Sequence, residues 1–475
     1  MKKGKMYLRI MAMVVAMLTM LSLMSACGSP TASVPATAPQ SADNATPAPT
    51  PAATPAPTPA PTPAPTPAPA PAAKTTLIGM CWGATDNQLK MTQELFAAHP
   101  ELADKYDIQW VIGGKSDADV GEKVRLALSS NEHVADFVEL NYTQVPEFAR
   151  ADALTDVSGA FKQYASDLLQ GAITISQYNN KTVAFPFELK PRVWYYRTDV
   201  FQKAGVDVTK VKKVDDLIAA GKAIQAVDKN AYIWNLGSAA QPYQFFLTLS
   251  GNGATFTDAD GNYTVNKDPG VRAMLTDYKK LVDAGVVANI SDWTPDWESA
   301  LNKGTIVSQL CAGWLAQDQF LPTYAGDAQS GKWAVTAWPQ LGGSTGGSDA
   351  GGSVFVVPTF AAHPQEAADF LGYLTLSKEG SKAIFDTIAA VPINKQTLND
   401  PAVKTPNHFF GSSLLDADTV GLDQLKIFNY SPKAAAEINI VNEYFIKAVY
   451  GKMSIDDALN AAQNDLTSQL GNAYN

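Results

Sequence analysis

The chain has 475 residues, a formal net charge of −10, and 46% hydrophobic and 9% aromatic residues, which excludes disorder or a collagen-like repeat for its bulk. Its three cysteines, Cys27, Cys81 and Cys311, and its four histidines, which form no HxxxH or HExxH pair, exclude a disulfide framework and a zinc cluster, so no metal is expected. The acidic balance argues against a nucleic-acid partner.

Residues 1–26 are predicted to be an export signal. Lys2, Lys3, Lys5 and Arg9 precede an apolar run over residues 10–23, which is shorter than the roughly 20 residues needed to span a bilayer. Loss of these four cations takes the formal charge from −10 to −14. Residues 23–27 (LMSAC) resemble the bacterial lipobox, whose Cys is lipidated and becomes the mature N-terminus, here Cys27; Met24 departs from the usual Leu. Half of the 30 prolines fall in residues 30–73, alternating with Ala and Thr over 54–71, so 27–73 reads as an anchored Cys followed by a spacer. Such a chain holds an extended polyproline form rising about 3.1 Å per residue, which gives a reach on the order of 100 Å. That length suits the surface of a thick-walled cell.

The body, 74–475, is about 400 residues long, too many for one core and suited to two lobes. In chain order it predicts a strand at 75–80, a helix at 86–99, a strand at 108–112, a helix at 121–129, a strand at 135–140 and a helix at 145–151. This alternation implies an α/β fold with a mostly parallel sheet, whose ligands gather at the carboxyl ends of the strands.

Several motifs then follow in a fixed order: FAAHP at 96–100, ADFVEL at 135–140 and FARADALTD at 148–156; KTVAFP at 181–186, VWYY at 193–196, DVFQKAG at 199–205 and VDDL at 214–217; ALNKG at 300–304 and GW at 313–314; GGSVFVVP at 351–358, PQEAADFL at 364–371, SKEG at 377–380 and SIDDAL at 454–459. In this combination the chain resembles the family 1 extracellular solute-binding proteins of bacterial ABC importers, maltodextrin-binding proteins among them. The resemblance implies a two-lobed, periplasmic-binding-protein-like (type II) fold with a hinge and an interlobe cleft. Lobe 1 would comprise about 74–187 and 307–355, and lobe 2 about 188–306 and 356–475. Crossings are expected at 187–192, 352–358 and near 305–309. It further implies a monomer without cofactors or catalysis, which captures a mono- or oligosaccharide and delivers it to two permease subunits driven by a separate ATPase.

A sugar presents hydroxyls at its edges and C–H bonds on its ring faces, so its site pairs aromatic rings with carboxylates and amides. The resemblance places Trp314 and Tyr243 in the cleft, and Trp82, Asp86 and Asn141, with Tyr142, follow strands at their carboxyl ends. Asp86 also suits the N-cap of its helix. Glu188, Lys190 and Arg192 lie on the first crossing and either face the cleft or form surface ion pairs; in the cleft, the two cations would favour an anionic solute. Trp234, Trp293, Trp297 and Trp338 read as packing residues.

Residues 342–346 satisfy the G-x-S-x-G pattern, yet sit in a Gly/Ser run rather than between strand and helix, and so read as a loop. Asp258 to Asn262 reads as a hairpin turn rather than a calcium loop. Cys81 and Cys311 leave a disulfide and two free buried thiols both open. The rival functions are binding of a non-sugar or anionic solute, a surface glycan hydrolase with two carboxylates across the cleft, and a sensor.

Overall fold

The computed structural model describes residues 73–475 apart from 240–241, 317–319, 345–346, 348, 350, 412, 414, 416–421 and 423–424. The export signal, Cys27 and the spacer up to residue 72 therefore lie outside the described residues. Among the described residues no helix is long and apolar enough to cross a membrane.

The two larger sheets are built from β1 (Thr75–Trp82), β2 (Tyr106–Gly114), β3 (Phe137–Asn141), β4 (Phe185–Pro186), β5 (Arg192–Arg197), β6 (Ser308–Ala312), β7 (Trp333–Ala337) and β8 (Ser353–Val356). The helices that matter below are α1 (Asp86–Ala98), α2 (Asp117–Ser130), α3 (Pro242–Asn252), α4 (Pro269–Asp283), α5 (Pro295–Lys303), α6 (Lys378–Ile388), α7 (Ala434–Val449) and α8 (Ile455–Leu470).

The first sheet runs β2-β1-β3-β8-β4, with β1 parallel to β2 and β3, and β8 antiparallel to β3 and β4. Gly79 stands in β1 because a Cβ there would lie 2.6 Å from the Phe137 ring and 2.9 Å from that of Trp110. Those two rings meet edge to face with centroids 5.2 Å apart and pack onto bare backbone. α2 starts four residues earlier than its apolar periodicity suggests. Ser116 Oγ accepts from the Asp119 backbone N–H and the Asp119 carboxylate accepts from the Ser116 N–H, a capping box that satisfies two orphan donors.

The second sheet places β5 between β6 and β7, both antiparallel to it. Trp194, Trp234, Phe245, Tyr278 and Phe445 are fully buried beneath it, together with apolar faces of α4, α7 and α8.

Two main cores result, which is the two-lobed architecture. One draws on residues 77–189 and 354–393; the other draws on 194–287, 307–341 and 428–473. This corrects the expected lobe bounds. Residues 307–341 belong with the second core, since β6 pairs with β5 from Ser308↔Tyr196 to Ala312↔Arg192. Residues 356–393 return to the first core, where α6 packs on α1. The stretch 305–309 is accordingly no crossing, because Ser308 and Gln309 are rungs within the second sheet.

The chain passes between the cores over 187–192, over 341–353 and again before Phe428. Asp349 ties these passages together: its carboxylate accepts from the Lys190 N–H at 3.4 Å, its own N–H donates to Lys426 O at 3.0 Å, and it bridges Pro191.

Candidate functional site

The carboxyl ends of β1 and β3, the start of β8 and the first crossing all open on the same face. Two cavities lie there, of about 710 and 510 Å³, and both are lined by Lys190 and Trp314. The larger takes Trp82, Asp86, Gln88, Glu139 and Glu188 from the first lobe, facing Trp314, Phe320 and Tyr324 of the second. The smaller takes Asp117, Asn141 and Thr143 from the first lobe, Tyr243, Phe246 and Leu247 from the second, and Asp349 from a crossing. Together they form one cleft walled by both lobes.

Its floor is a network of carboxylates. Glu139, on β3 with 5% of its surface exposed, accepts from Gln88 Nε2 at 3.0 Å. Burial first, and then the neighbouring Glu188 charge, push its carboxyl up from 4.5 to about 7, while Gln88, Lys190 and Ser353 oppose the shift. Glu188 pairs with Lys190 Nζ at 2.6 Å and accepts from the Ser353 N–H at 3.3 Å. Asp349, 3% exposed, accepts from the Tyr142 hydroxyl, and burial likewise pushes its carboxyl up to about 7. Buried carboxylates of this kind stay charged only where donors are supplied, so polar ligand groups that donate to them find partners here.

The opposite wall is aromatic. Trp314 is the second residue of the short helix Gly313–Ala316 at the end of β6 and is half-buried; its ring lies 4.9 Å from Phe320 and 6.3 Å from Tyr243. Tyr243, at the start of α3, is 3.6 Å from Cys311 Sγ, and burial raises its phenol well above the ordinary value.

Of the residues expected from sequence, Trp82, Asp86, Asn141, Glu188, Tyr243 and Trp314 all line the cleft, as does Lys190. Asp86 is exposed and is the first residue of α1, whose N-cap is Thr85. Asn141 caps the following turn, its Oδ1 accepting from the Thr143 N–H at 3.1 Å. Tyr142 is buried behind that turn, against Tyr430 at 5.6 Å.

Arg192 is a correction: it lines neither cavity. Its guanidinium is buried under α3, donating to Leu247 O at 3.2 Å and to Ser344 Oγ, and it lies 4.9 Å over the Trp338 ring. Because the side chain enters the second core, Lys190 is left as the one cation among the described residues that line the cleft. Cys81 and Cys311 are both free and buried, one in each sheet, with burial pushing each thiol up to about 12.

Sequence reasoning missed Glu139, Asp349 and the Phe320/Tyr324 pair. A carboxylate inside the apolar run ADFVEL was a usable signal for Glu139, since a charge in a buried strand needs a purpose. Asp349 sits in a Gly/Ser run that reads only as a loop.

The family model described as bacterial extracellular solute-binding protein matches residues 96–411. An arabinooligosaccharide-binding protein of Halalkalibacterium halodurans is 22% identical, covering 73% of this chain and 79% of that protein. A lactose-binding protein of Rhizobium radiobacter is 25% identical, covering 82% and 92%. Among solved structures, the galacto-N-biose/lacto-N-biose I-binding protein of a Bifidobacterium longum ABC transporter, in complex with lacto-N-biose, shares the fold. Its TM-score is 0.70 at 21% identity, over 84% of this chain and 98% of that one.

Proposed function

The chain belongs to the bacterial extracellular solute-binding proteins, and from that premise we propose that it captures a carbohydrate between its lobes for an ABC importer. The carrying observation is the composition of the cleft: the Trp314, Tyr243 and Phe320 rings face a floor of Glu139, Glu188, Gln88 and Asn141. Flat rings suit the C–H faces of a pyranose, and fixed carboxylates and amides suit paired hydroxyls. The sugar-binding relatives support the same reading. Closure of the lobes over the ligand then presents the docking surface to two permease subunits driven by a separate ATPase.

Charge narrows the class of sugar. Among the described residues, Asp86, Asp117, Glu139, Glu188 and Asp349 line the cleft against the single ammonium of Lys190. Like charges disfavour a uronate or another anionic solute, so the ligand is an uncharged or amino sugar. With Arg192 in the core, one of the two cations that would have favoured an anionic ligand is removed from the cleft.

We read the protein as binding without transforming: Glu139 and Glu188 share one floor, and among the described residues the wall opposite them is formed by Trp314, Phe320 and Tyr324. The expected export signal, the lipobox-like segment ending at Cys27 and the proline-rich spacer support anchoring by lipid on the outer face of the cell membrane, and we read the protein as a monomer there.

Thermal-shift screening of the protein against neutral sugars, amino sugars, uronates, amino acids and polyamines tests the reading. Stabilisation by a neutral or amino sugar is expected. Stabilisation by an amino acid or polyamine alone, or release of sugar products, would overturn it.

A further inference from the structure

Trp293 is the one tryptophan of the nine that is more than a third exposed, at 43%. Its backbone has φ +63, a left-handed conformation that bulky residues rarely adopt and that local structure must hold in place. Both neighbours do so. The Asp292 carboxylate accepts from Asn235 Nδ2 at 2.6 Å and Gln244 Nε2 at 2.8 Å, and Thr294 caps α5 by accepting from the Trp297 N–H at 3.2 Å.

The fixed backbone aims the ring into an aromatic circuit. Trp293 lies 4.7 Å from Trp297 and 5.1 Å from Trp314; Trp314 leads to Phe320 at 4.9 Å, Phe320 to Tyr324 at 6.4 Å, and Tyr324 back to Trp297 at 5.4 Å. Trp314, Phe320 and Tyr324 line the larger cavity, and Trp297 is fully buried beneath. Trp293 is thus the solvent-facing member of the circuit, next to the ring that both cavities share.

We propose that Trp293 is a stacking platform for an outer sugar unit, so that the cleft selects oligosaccharides that reach past the unit held at Trp314. The inference rests on the carbohydrate reading and adds ligand length to it. Trp293 itself lines neither cavity; its positive φ holds the ring beside Trp314, at the rim of the cleft, where an outer unit would lie.

The test compares wild type, Trp293→Gly and Trp293→Phe by calorimetric titration with arabinobiose and arabinotriose, lactose and galactosyl-lactose, and maltose and maltotriose. Gly accepts the positive φ without a ring, so the loop keeps its path. For whichever pair wild type binds, Trp293→Gly is expected to weaken the trisaccharide about tenfold while changing the disaccharide less than about twofold, with Phe restoring part of the loss. Equal losses for both lengths, or no loss, overturns the platform while leaving the carbohydrate reading intact. Failure of wild type to bind any of the three trisaccharides more tightly than its disaccharide overturns the platform, and absence of binding across the wider neutral and amino sugar panel overturns both.

Discussion

Replacing Glu139 by Gln removes the charge from the cleft floor and keeps the oxygen that accepts from Gln88 Nε2. In the folded protein the Glu139 carboxyl is raised from the ordinary 4.5 to about 7, chiefly by burial. A raised acid binds its proton more tightly in the folded state, so its contribution is fully present below pH 4.5 and is lost as pH rises through about 7. At 1.36 kcal/mol per pH unit, that gap amounts to about 3 kcal/mol between pH 5 and 8. Glu139→Gln has no proton to lose there. Urea denaturation of wild type and variant at both pH values should show the variant gaining about 3 kcal/mol on wild type as the pH is raised. A stability difference that is the same at pH 5 and pH 8 would refute the reasoning, because the buried carboxyl would then titrate as it does in the unfolded chain.

Other perturbations follow from the same geometry. Trp314→Ala, at the ring shared by both cavities, should weaken sugar binding by at least about tenfold without changing the thermal midpoint by more than a few degrees; unchanged affinity would remove Trp314 from the site. Cys81 and Cys311 should resist a thiol reagent in the folded protein and react on denaturation, as peptide mapping of the labelled protein would show; rapid native labelling would contradict their burial. Arg192→Lys, which loses the planar stack on Trp338, should cost about 1–3 kcal/mol in a denaturation curve yet leave ligand affinity unchanged. An altered affinity would return Arg192 to the cleft. Gly79→Ala should destabilise by about 1–3 kcal/mol by driving a methyl group into the Phe137 and Trp110 rings, and a neutral effect in thermal unfolding would show that these rings can yield.

Much of the first lobe was legible because its elements carry their own periodicity. The expected helix over 86–99 is Asp86–Ala98, and the strand expected at 108–112 extends to Tyr106–Gly114. The start of α2 was misplaced because the Ser116/Asp119 capping box, a polar signal, precedes the apolar face by which the helix was recognised. Cleft residues at strand ends, Trp82 and Asn141, were legible from the rule that parallel sheets bind at their carboxyl ends.

What stayed hidden depends on contacts between distant segments. Nothing local states that residues 307–341 pair along β5, and a resemblance-based division put them in the wrong lobe. Arg192 looked like a cleft cation because a crossing segment is polar on its face; its side chain instead points into the second core, where an aromatic ring and a carbonyl replace water. Trp293 was indistinguishable from a packing tryptophan until its exposure and positive φ were seen together. Asp349 gains its meaning only from the three passages it joins.

The central claim is that the cleft holds an uncharged or amino sugar and leaves it unaltered. Calorimetric titration of the protein with a panel of neutral, amino and uronic oligosaccharides, with the sugar recovered afterwards for mass spectrometry, tests it most directly. The account predicts one-to-one saturable binding of a neutral or amino sugar, recovered intact. Preferential binding of a uronate, absence of binding across the panel, or recovery of a cleaved sugar would contradict it.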